Sequence, residues 1–178
     1  MNEQEIDNIE LSYLTIQDYQ ELKEATQESY SGFENSYWPK TAIQKLIDIF
    51  PEGQILIKID GEIAGCALSI IVDYTKFDDD HTYADIITKS TFANHKMDGD
   101  VLYGIEVFIK PNFRGLRLGR RLYDYRKELC ENLNLKGIVF GGRMPNYHKH
   151  KDQYTPKQYI DAVKRKEIND SVLNFQIS

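Results

Sequence analysis

The chain has 178 residues, of which 41% are hydrophobic and 28% are charged, and its formal net charge is −6. This length suits a single domain over residues 1–178, and the acidic balance argues against general nucleic-acid binding, which needs a basic face. Cys66 and Cys130 lie far apart without metal-type spacing, so we expect no disulfide framework and a cytoplasmic protein. The polar first residues and the lack of a long apolar run indicate neither a secretion leader nor a membrane span.

The first elements are predicted from capping signals. A short strand is expected at residues 9–15, followed by a helix to about Tyr30. Thr15 and Asp18 have the spacing of a capping box, in which each side chain bonds the backbone of the other residue. These residues therefore predict where the first helix begins.

A second helix and a hairpin follow. Thr41 and Gln44 repeat the capping-box spacing ahead of an apolar face, and Pro51 stops that helix. Asp60 and Gly61 then join two β-rich runs, and this dipeptide supplies the positive φ angles of a type I′ turn. We therefore expect an antiparallel hairpin in the middle of the chain.

The second half is predicted to alternate strands and helices after a polar surface excursion at residues 74–99. The acidic run from Asp78 to Asp80 is either solvated surface or an attraction for a cationic substrate. The remaining elements are a strand at 101–110, a helix at 118–134, a strand at 137–142, a helix from Thr155 to about Ile168, and a strand from Val172. The fold class is therefore α/β with early antiparallel pairing and a central β-α-β unit.

The central unit carries the clearest signal for a ligand. After Pro111 the chain passes through a basic turn in which Gly115 and Gly119 allow close approach of the backbone to a bound group. Four arginines add positive charge here, Arg114, Arg117, Arg120 and Arg121. With the N–H groups of a helix start, they suit a diphosphate better than a single carboxylate. The spacing is neither the dinucleotide glycine motif nor a P-loop.

The stretch IEVFIKPNFRGLRLGRRLYDY, residues 105–125, resembles motif A of the GNAT superfamily of acyl-CoA-dependent N-acyltransferases. In that motif a V-x-P strand end leads into [Q/R]-x-x-G-x-[G/A]. Arg114 and Gly119 match its ends, while Arg117 stands where the middle glycine is usual. The resemblance extends over nearly the whole chain, because the predicted element order is that of the family. It implies a GNAT-like, mixed and mostly antiparallel central sheet flanked by helices.

The resemblance implies a site for acetyl-CoA or another acyl-CoA and no metal. The pantetheine arm would pair with the strand backbone of Val107, Phe108 and Ile109. The diphosphate would lie on the loop residues Arg114, Gly115, Leu116, Arg117, Leu118, Gly119 and Arg120. The alternative is a solvated basic helix behind a plain turn. His148 and His150 are too few and too isolated to predict a zinc site.

Two residues are candidates for catalysis. Glu106 shares a strand side with Gly104 and Phe108, and a carboxylate among apolar residues is costly unless it has a purpose. It could be the general base that deprotonates an ammonium substrate, or it could pair with a nearby arginine or lysine. By resemblance to several GNAT enzymes, Tyr159 is the candidate acid for the departing thiolate. Its apolar neighbours make a packing role equally natural.

The implied partners follow from a finer resemblance. The run RGLRLGRRLYDYRKELC, followed by GGRMPNYHKH, looks most like the GNAT domain fused ahead of a carbon-nitrogen hydrolase (nitrilase-like) domain. The function implied is acyl transfer to a primary amine of a small molecule or peptide. The alternative is a CoA-binding or regulatory module for a neighbouring hydrolase domain. A last strand normal in the family is expected to be missing, which would favour a homodimer.

Overall fold

The computed structural model describes residues 8–30, 37–76, 92–140 and 149–169. The chain divides into two compact units, residues 1–140 and 141–178. The described strands are β1 (Ile9–Tyr13), β2 (Ile55–Ile59), β3 (Glu62–Val72), β4 (Val101–Ile109) and β5 (Gly137–Phe140). The described α-helices are α1 (Tyr19–Ser29), α2 (Lys40–Ile49), α3 (Leu118–Asn132) and, in the second unit, α4 (Pro156–Lys164).

The first unit is built on a sheet with the strand order β1-β2-β3-β4-β5. The first three pairings are antiparallel, and β4 pairs with β5 in parallel. The turn between β2 and β3 has φ angles of 50° at Asp60 and 85° at Gly61, as the type I′ prediction requires. The predicted α/β class with a mostly antiparallel sheet and a central β-α-β unit is confirmed.

Helices cover both faces of this sheet. Leu22 of α1 and Leu46 of α2 belong to a core cluster with one face of the strands. Leu118 and Leu122 of α3 pack with β2 and β3 residues in a second cluster, and Leu129 belongs to a third. Strands β2, β3 and β4 therefore form a middle layer that is largely buried on both sides, whereas β1 keeps exposed residues.

One of the two predicted capping boxes is present, at Thr15 and Asp18, and a further box begins α4. The Thr15 N–H donates to Asp18 Oδ2 at 3.0 Å ahead of α1. At the start of α4, the Gln158 N–H donates to Thr155 Oγ1 at 3.3 Å, and the side chain of Gln158 bonds back to the Thr155 N–H. These side chains satisfy N–H groups that lack a partner within the helix.

The box predicted at Thr41 and Gln44 is wrong. Helix α2 begins two residues earlier, because Pro39 occupies the N-cap with φ −59° and ψ 150° and leaves Thr41 inside the first turn. Gln44 instead donates from Nε2 to Asp48 Oδ1 at 2.8 Å, one turn further along the helix. The proline therefore decided where the helix begins.

The second unit holds the short helix α4, which ends at Lys164 rather than near Ile168. Lys166 has a φ of 62°, a left-handed conformation typical of the residues that terminate a helix. The strand predicted from Val172, the acidic run from Asp78 to Asp80, and His148 lie outside the described residues. The prediction of a single domain over residues 1–178 stays a prediction.

Candidate functional site

A bulge in β4 shapes the site. Glu106 lies opposite Leu68 of β3 and Gly104 lies opposite Ser69, so Ile105 is an extra residue on β4. An extra residue of this kind bends a strand and re-aims the side chains that follow it. Bulges of this type recur beside binding and catalytic sites.

The bulge turns Glu106 toward α1 and α2. Ile105 and Phe108 both pack in the core cluster on that side of the sheet. Strict alternation from Ile105 would place Glu106 on the opposite face, yet its carboxylate contacts Tyr30 and Trp38, which also pack on the α1 and α2 side. Glu106 and Phe108 therefore share a face, and the bulge puts Ile105 with them where the sequence alone suggested Gly104.

Two aromatic side chains hold the Glu106 carboxylate. The Tyr30 hydroxyl donates to Oε1, and the Trp38 indole donates from Nε1 to Oε2 at 3.3 Å. The Tyr30 oxygen also lies 3.5 Å from the carbonyl oxygen of Val107, and its ring meets Phe108 edge to face at 6.1 Å. One donor on each oxygen fixes the orientation of the carboxylate.

The sequence alone does not identify Tyr30 and Trp38 as contacts of Glu106. They are 76 and 68 residues away from Glu106 along the chain, and no motif links them to β4. Their only signal is position, because they flank the aromatic, polar loop between α1 and α2. Loops held by rigid elements commonly carry functional side chains.

Lys110 anchors the end of β4. Its side chain is 9% exposed, and Nζ lies 2.8 Å from Glu62 and 3.3 Å from Glu28. The Lys110 N–H donates to the Ala64 carbonyl at 2.7 Å. Lys110 therefore pairs with Glu28 and Glu62 and not with Glu106. These contacts fix the end of β4, where the basic loop begins.

The basic loop has left-handed backbone at two residues. Gly115 has a φ of 88° and Arg117 a φ of 58°. Arg117 is the N-cap of α3, which begins at Leu118. Arg117, which stands where the motif resemblance expects a glycine, therefore adopts the left-handed conformation that glycine favours.

The arginines of this loop point to solvent. Four of them are exposed and form no ion pair with a described residue, Arg114, Arg117, Arg120 and Arg121. The Arg114 side chain donates from Nε to the Ile109 carbonyl at 3.2 Å, which ties the loop to the end of β4. The segment therefore offers uncompensated positive charge beside backbone N–H groups, an arrangement suited to a phosphate.

The strand residues assigned to the pantetheine arm lie beside the bulge. The described pairing between β4 and β5 covers Val101 to Gly104 only. Residues 107–109 lie beyond that pairing. Val107 and Ile109 are partly buried against the α3 side of the sheet. The structure brings these residues, Glu106 and the arginine loop together along one strand and the turn that follows it.

Tyr159 lies in the second unit. Its side chain is fully buried on α4, clusters with Val163, and its ring centroid is 5.8 Å from that of His150. Tyr159 therefore packs in a hydrophobic cluster, which is one of the two roles expected from its sequence neighbours. Its assignment as the catalytic acid stays a prediction.

Across residues 8–30, 37–76, 92–140 and 149–169, no three His, Cys, Asp or Glu side chains gather as metal ligands would. None of the helices within those ranges combines the length and the apolar character that crossing a bilayer requires.

Comparison with known proteins places this chain in a family. Residues 19–151 match the model of the acetyltransferase (GNAT) family. The solved structure of the GNAT-like decarboxylase GphF in complex with isobutyryl-CoA has the same fold, with a TM-score of 0.72, 14% identity, and coverage of 94% of this chain and 83% of that one. The matched family range includes Glu106 and the whole arginine loop.

Two relatives come from Bacillus subtilis (strain 168). "Probable hydrolase YhcX" is 41% identical over 140 residues, a match that covers 79% of this chain and 27% of that protein. "Uncharacterized N-acetyltransferase YkwB" is 31% identical over 138 residues and is covered over 61% of its length, against 78% of this chain. The chain thus spans less than two thirds of either relative.

Proposed function

Because the chain belongs to the acetyltransferase (GNAT) family, we propose that it binds acetyl-CoA or another acyl-CoA and transfers the acyl group to a primary amine. One observation carries the proposal. The Glu106 carboxylate, oriented by Tyr30 and Trp38, lies on the strand that leads directly into a loop of exposed arginines. A base and an anion site are thereby joined on one rigid element.

The arginine loop is the proposed seat of the CoA diphosphate. Backbone N–H groups of residues 115–119 and the helix start would face its oxygens, and Arg114, Arg117 and Arg120 would add charge. The backbone of residues 107–109 would pair with the pantetheine amides. Support comes from the exposure of these arginines and from the related fold of GphF, which was solved with isobutyryl-CoA.

Glu106 is the proposed general base. It would accept a proton from the ammonium form of the acceptor, directly or through one water. The neutral amine would then attack the thioester carbonyl, and the bond from carbon to sulfur would break. The attacking nitrogen would lose a second proton as the amide forms, and this proton balances the one taken up by the departing thiolate. The departing thiolate needs a proton, for which Tyr159 is the candidate. Strand N–H groups would stabilise the oxyanion of the tetrahedral intermediate.

Free thiol release tests the proposal. Purified protein is incubated with acetyl-CoA and a panel of small amines, amino acids and peptides, and acetylated product is identified by mass. We expect free thiol to be released only when an amine is present, and we expect that amine to gain one acetyl group. Thiol release without any amine, or none with the whole panel, would contradict it.

A second candidate function is a module for a carbon-nitrogen hydrolase domain. The observation that favours it is the match to 27% of a protein named a probable hydrolase, which leaves most of that relative outside the shared region. In this role the domain would bind CoA, or no nucleotide, and would control or assemble its neighbour. Replacing Glu106 with Gln would then change neither CoA binding nor hydrolase activity, which separates the two functions.

The proposed setting is the cytoplasm, where thiols are kept reduced. Cys66 and Cys130 are both free and buried, as small apolar side chains would be. Homodimer formation stays a prediction, and the oligomeric state of the purified chain in solution tests it.

A further inference from the structure

One buried cation is left unexplained by the proposed function. Arg126 on α3 is 2% exposed. Among the described residues, no carboxylate oxygen lies within 4 Å of its side-chain nitrogens, and its Nε has no hydrogen-bond partner. Burial lowers the pKa of Arg126, an effect that nearby Glu106 opposes. A guanidinium is expensive to bury, so its contacts call for an explanation.

The contacts of Arg126 fall at the bulge. Its Nη2 donates to the Leu68 carbonyl at 2.8 Å and to the Glu106 carbonyl at 2.7 Å. Leu68 and Glu106 are the residues that lie opposite each other where the register shifts. Nη2 therefore donates to one carbonyl on each of the two strands, at the point where their pairing is interrupted.

The bulge needs such a donor. An extra residue interrupts the ladder, and a buried carbonyl left without a partner costs roughly 1–3 kcal/mol. If β4 returned to regular pairing with β3, the interrupted backbone hydrogen bonds would form and the bulge would disappear. That change would move every later side chain to the other face, because the side-chain period of a strand is two.

We propose that Arg126 is a positioning residue for Glu106. By satisfying both carbonyls it holds the bulge of β4, and the bulge keeps the Glu106 carboxylate on the α1 and α2 face beside Tyr30 and Trp38. The kinetic part of this inference rests on the proposed function, whereas the geometric part does not. Arg126 therefore differs from the exposed arginines of the loop, which are assigned to the ligand.

Trp38 gives a readout that does not depend on activity. It is the only tryptophan of the chain, and its indole donates to Glu106. Glu106→Gln should change the emission of Trp38 in the wild-type background. In an Arg126→Met background, the same substitution should leave the emission unchanged, since residue 106 no longer faces the indole. An equal change in both backgrounds would overturn the inference.

Kinetics give the second readout. Arg126→Met should lower kcat about as much as Glu106→Gln does, about 10²–10⁴-fold, because both changes remove the carboxylate from the site. Its Kd for acetyl-CoA should rise as well, because the backbone of residues 107–109 follows the bulge and would shift with it. Arg126→Lys should restore most of the activity, since one ammonium can donate to both carbonyls. Lys127→Met, at an exposed neighbour on α3, is the matched control and should change nothing.

The outcomes separate the two proposals. If wild-type protein acylates no amine, the proposed function fails, and the Trp38 experiment still decides the role of Arg126. If wild type is active and Arg126→Met keeps its kcat, the positioning role is wrong. Should Arg126→Met fail to fold, Arg126→Gln replaces it, because its amide is too short to reach both carbonyls. Failure of both to fold would show that Arg126 only supports the fold, and would overturn the inference.

Discussion

The five arginines between Arg114 and Arg126 have two contrasting environments. Arg126 is buried, and both N–H groups of its Nη2 are committed to backbone carbonyls. The other four are exposed and form no ion pair with described residues. A basic run in an acidic chain therefore serves two purposes. One guanidinium shapes a strand, and the remainder leave their charge available to an anionic ligand.

The largest expected effect comes from the chemistry at the bulge. Glu106→Gln should lower kcat by about 10²–10⁴-fold, the range for loss of general acid-base catalysis. The Kd for acetyl-CoA should stay near the wild-type value, because the arginine loop is untouched. Steady-state kinetics and calorimetry measure the two quantities. Glu128→Gln, at an exposed carboxylate on α3, is the control. Equal losses of kcat in both variants would remove Glu106 from the mechanism.

The exposed arginines should show the opposite pattern. Arg120→Ala should weaken acetyl-CoA binding about tenfold, since a hydrogen bond to a charged group contributes roughly 1.5–3 kcal/mol. The effect should shrink at high salt, because an exposed charge is screened. Arg114→Ala should act similarly, and it also removes the bond to the Ile109 carbonyl.

Lys127→Ala removes an exposed cation further along α3 and should not affect binding. Calorimetric titration of each variant measures the difference. If Arg120→Ala and Lys127→Ala bind acetyl-CoA equally well, the exposed arginines are only a solvated surface.

A smaller effect concerns the backbone of the loop. Arg117 holds a left-handed φ of 58°, which costs a residue with a Cβ more than glycine. Arg117→Gly should therefore raise the free energy of unfolding by roughly 0.5–1 kcal/mol. Gly115→Ala, at a φ of 88°, should lower it by a similar amount. Denaturant unfolding measures both. The same sign for the two substitutions would contradict the loop conformation.

The smallest expected effect is on the pH dependence of stability, and it comes from a partly buried histidine. His95 Nδ1 accepts from the Ile71 N–H at 3.0 Å, and the ring stacks on Phe50. Burial lowers the pKa of His95 below its ordinary 6.5, with the Ile49 carbonyl opposing. Its contribution to stability is therefore present above that ordinary value and is lost as the pH falls through the folded-state pKa.

Thermal unfolding between about pH 7 and pH 5 checks this expectation. Wild-type stability should fall with pH more steeply than that of His95→Gln, which has no imidazole to protonate. Parallel pH profiles of the two proteins would show that His95 does not titrate in this way.

Most of the fold could be predicted because its signals are local. Asp60 and Gly61 specify a tight turn, and the apolar spacing of α3 specifies a helix that ends before Asn134, whose φ of 53° is left-handed. The helix start at Thr41 was wrong because two signals competed, and Pro39 outweighed the capping spacing. Propensity reasoning ranks such signals poorly when they overlap.

The sequence singles out candidate site residues only along β4 and its loop, where a motif is contiguous. The bulge at Ile105 leaves no mark in the sequence, because a strand with an extra residue has the same composition as one without it. Tyr30 and Trp38 reach Glu106 through tertiary packing of the segment between α1 and α2. The role of Arg126 depends on that same packing, so it could not be separated from its exposed neighbours by sequence.

A titration of isotopically labelled protein with acetyl-CoA, followed by backbone amide NMR, tests directly whether the arginine loop holds the cofactor. The largest shifts should occur at residues 114–120 and at Val107 to Ile109. The amides of β1, at the other edge of the sheet, should stay in place. Saturable shifts centred elsewhere, or no shifts from a folded sample, would contradict a cofactor site on the arginine loop.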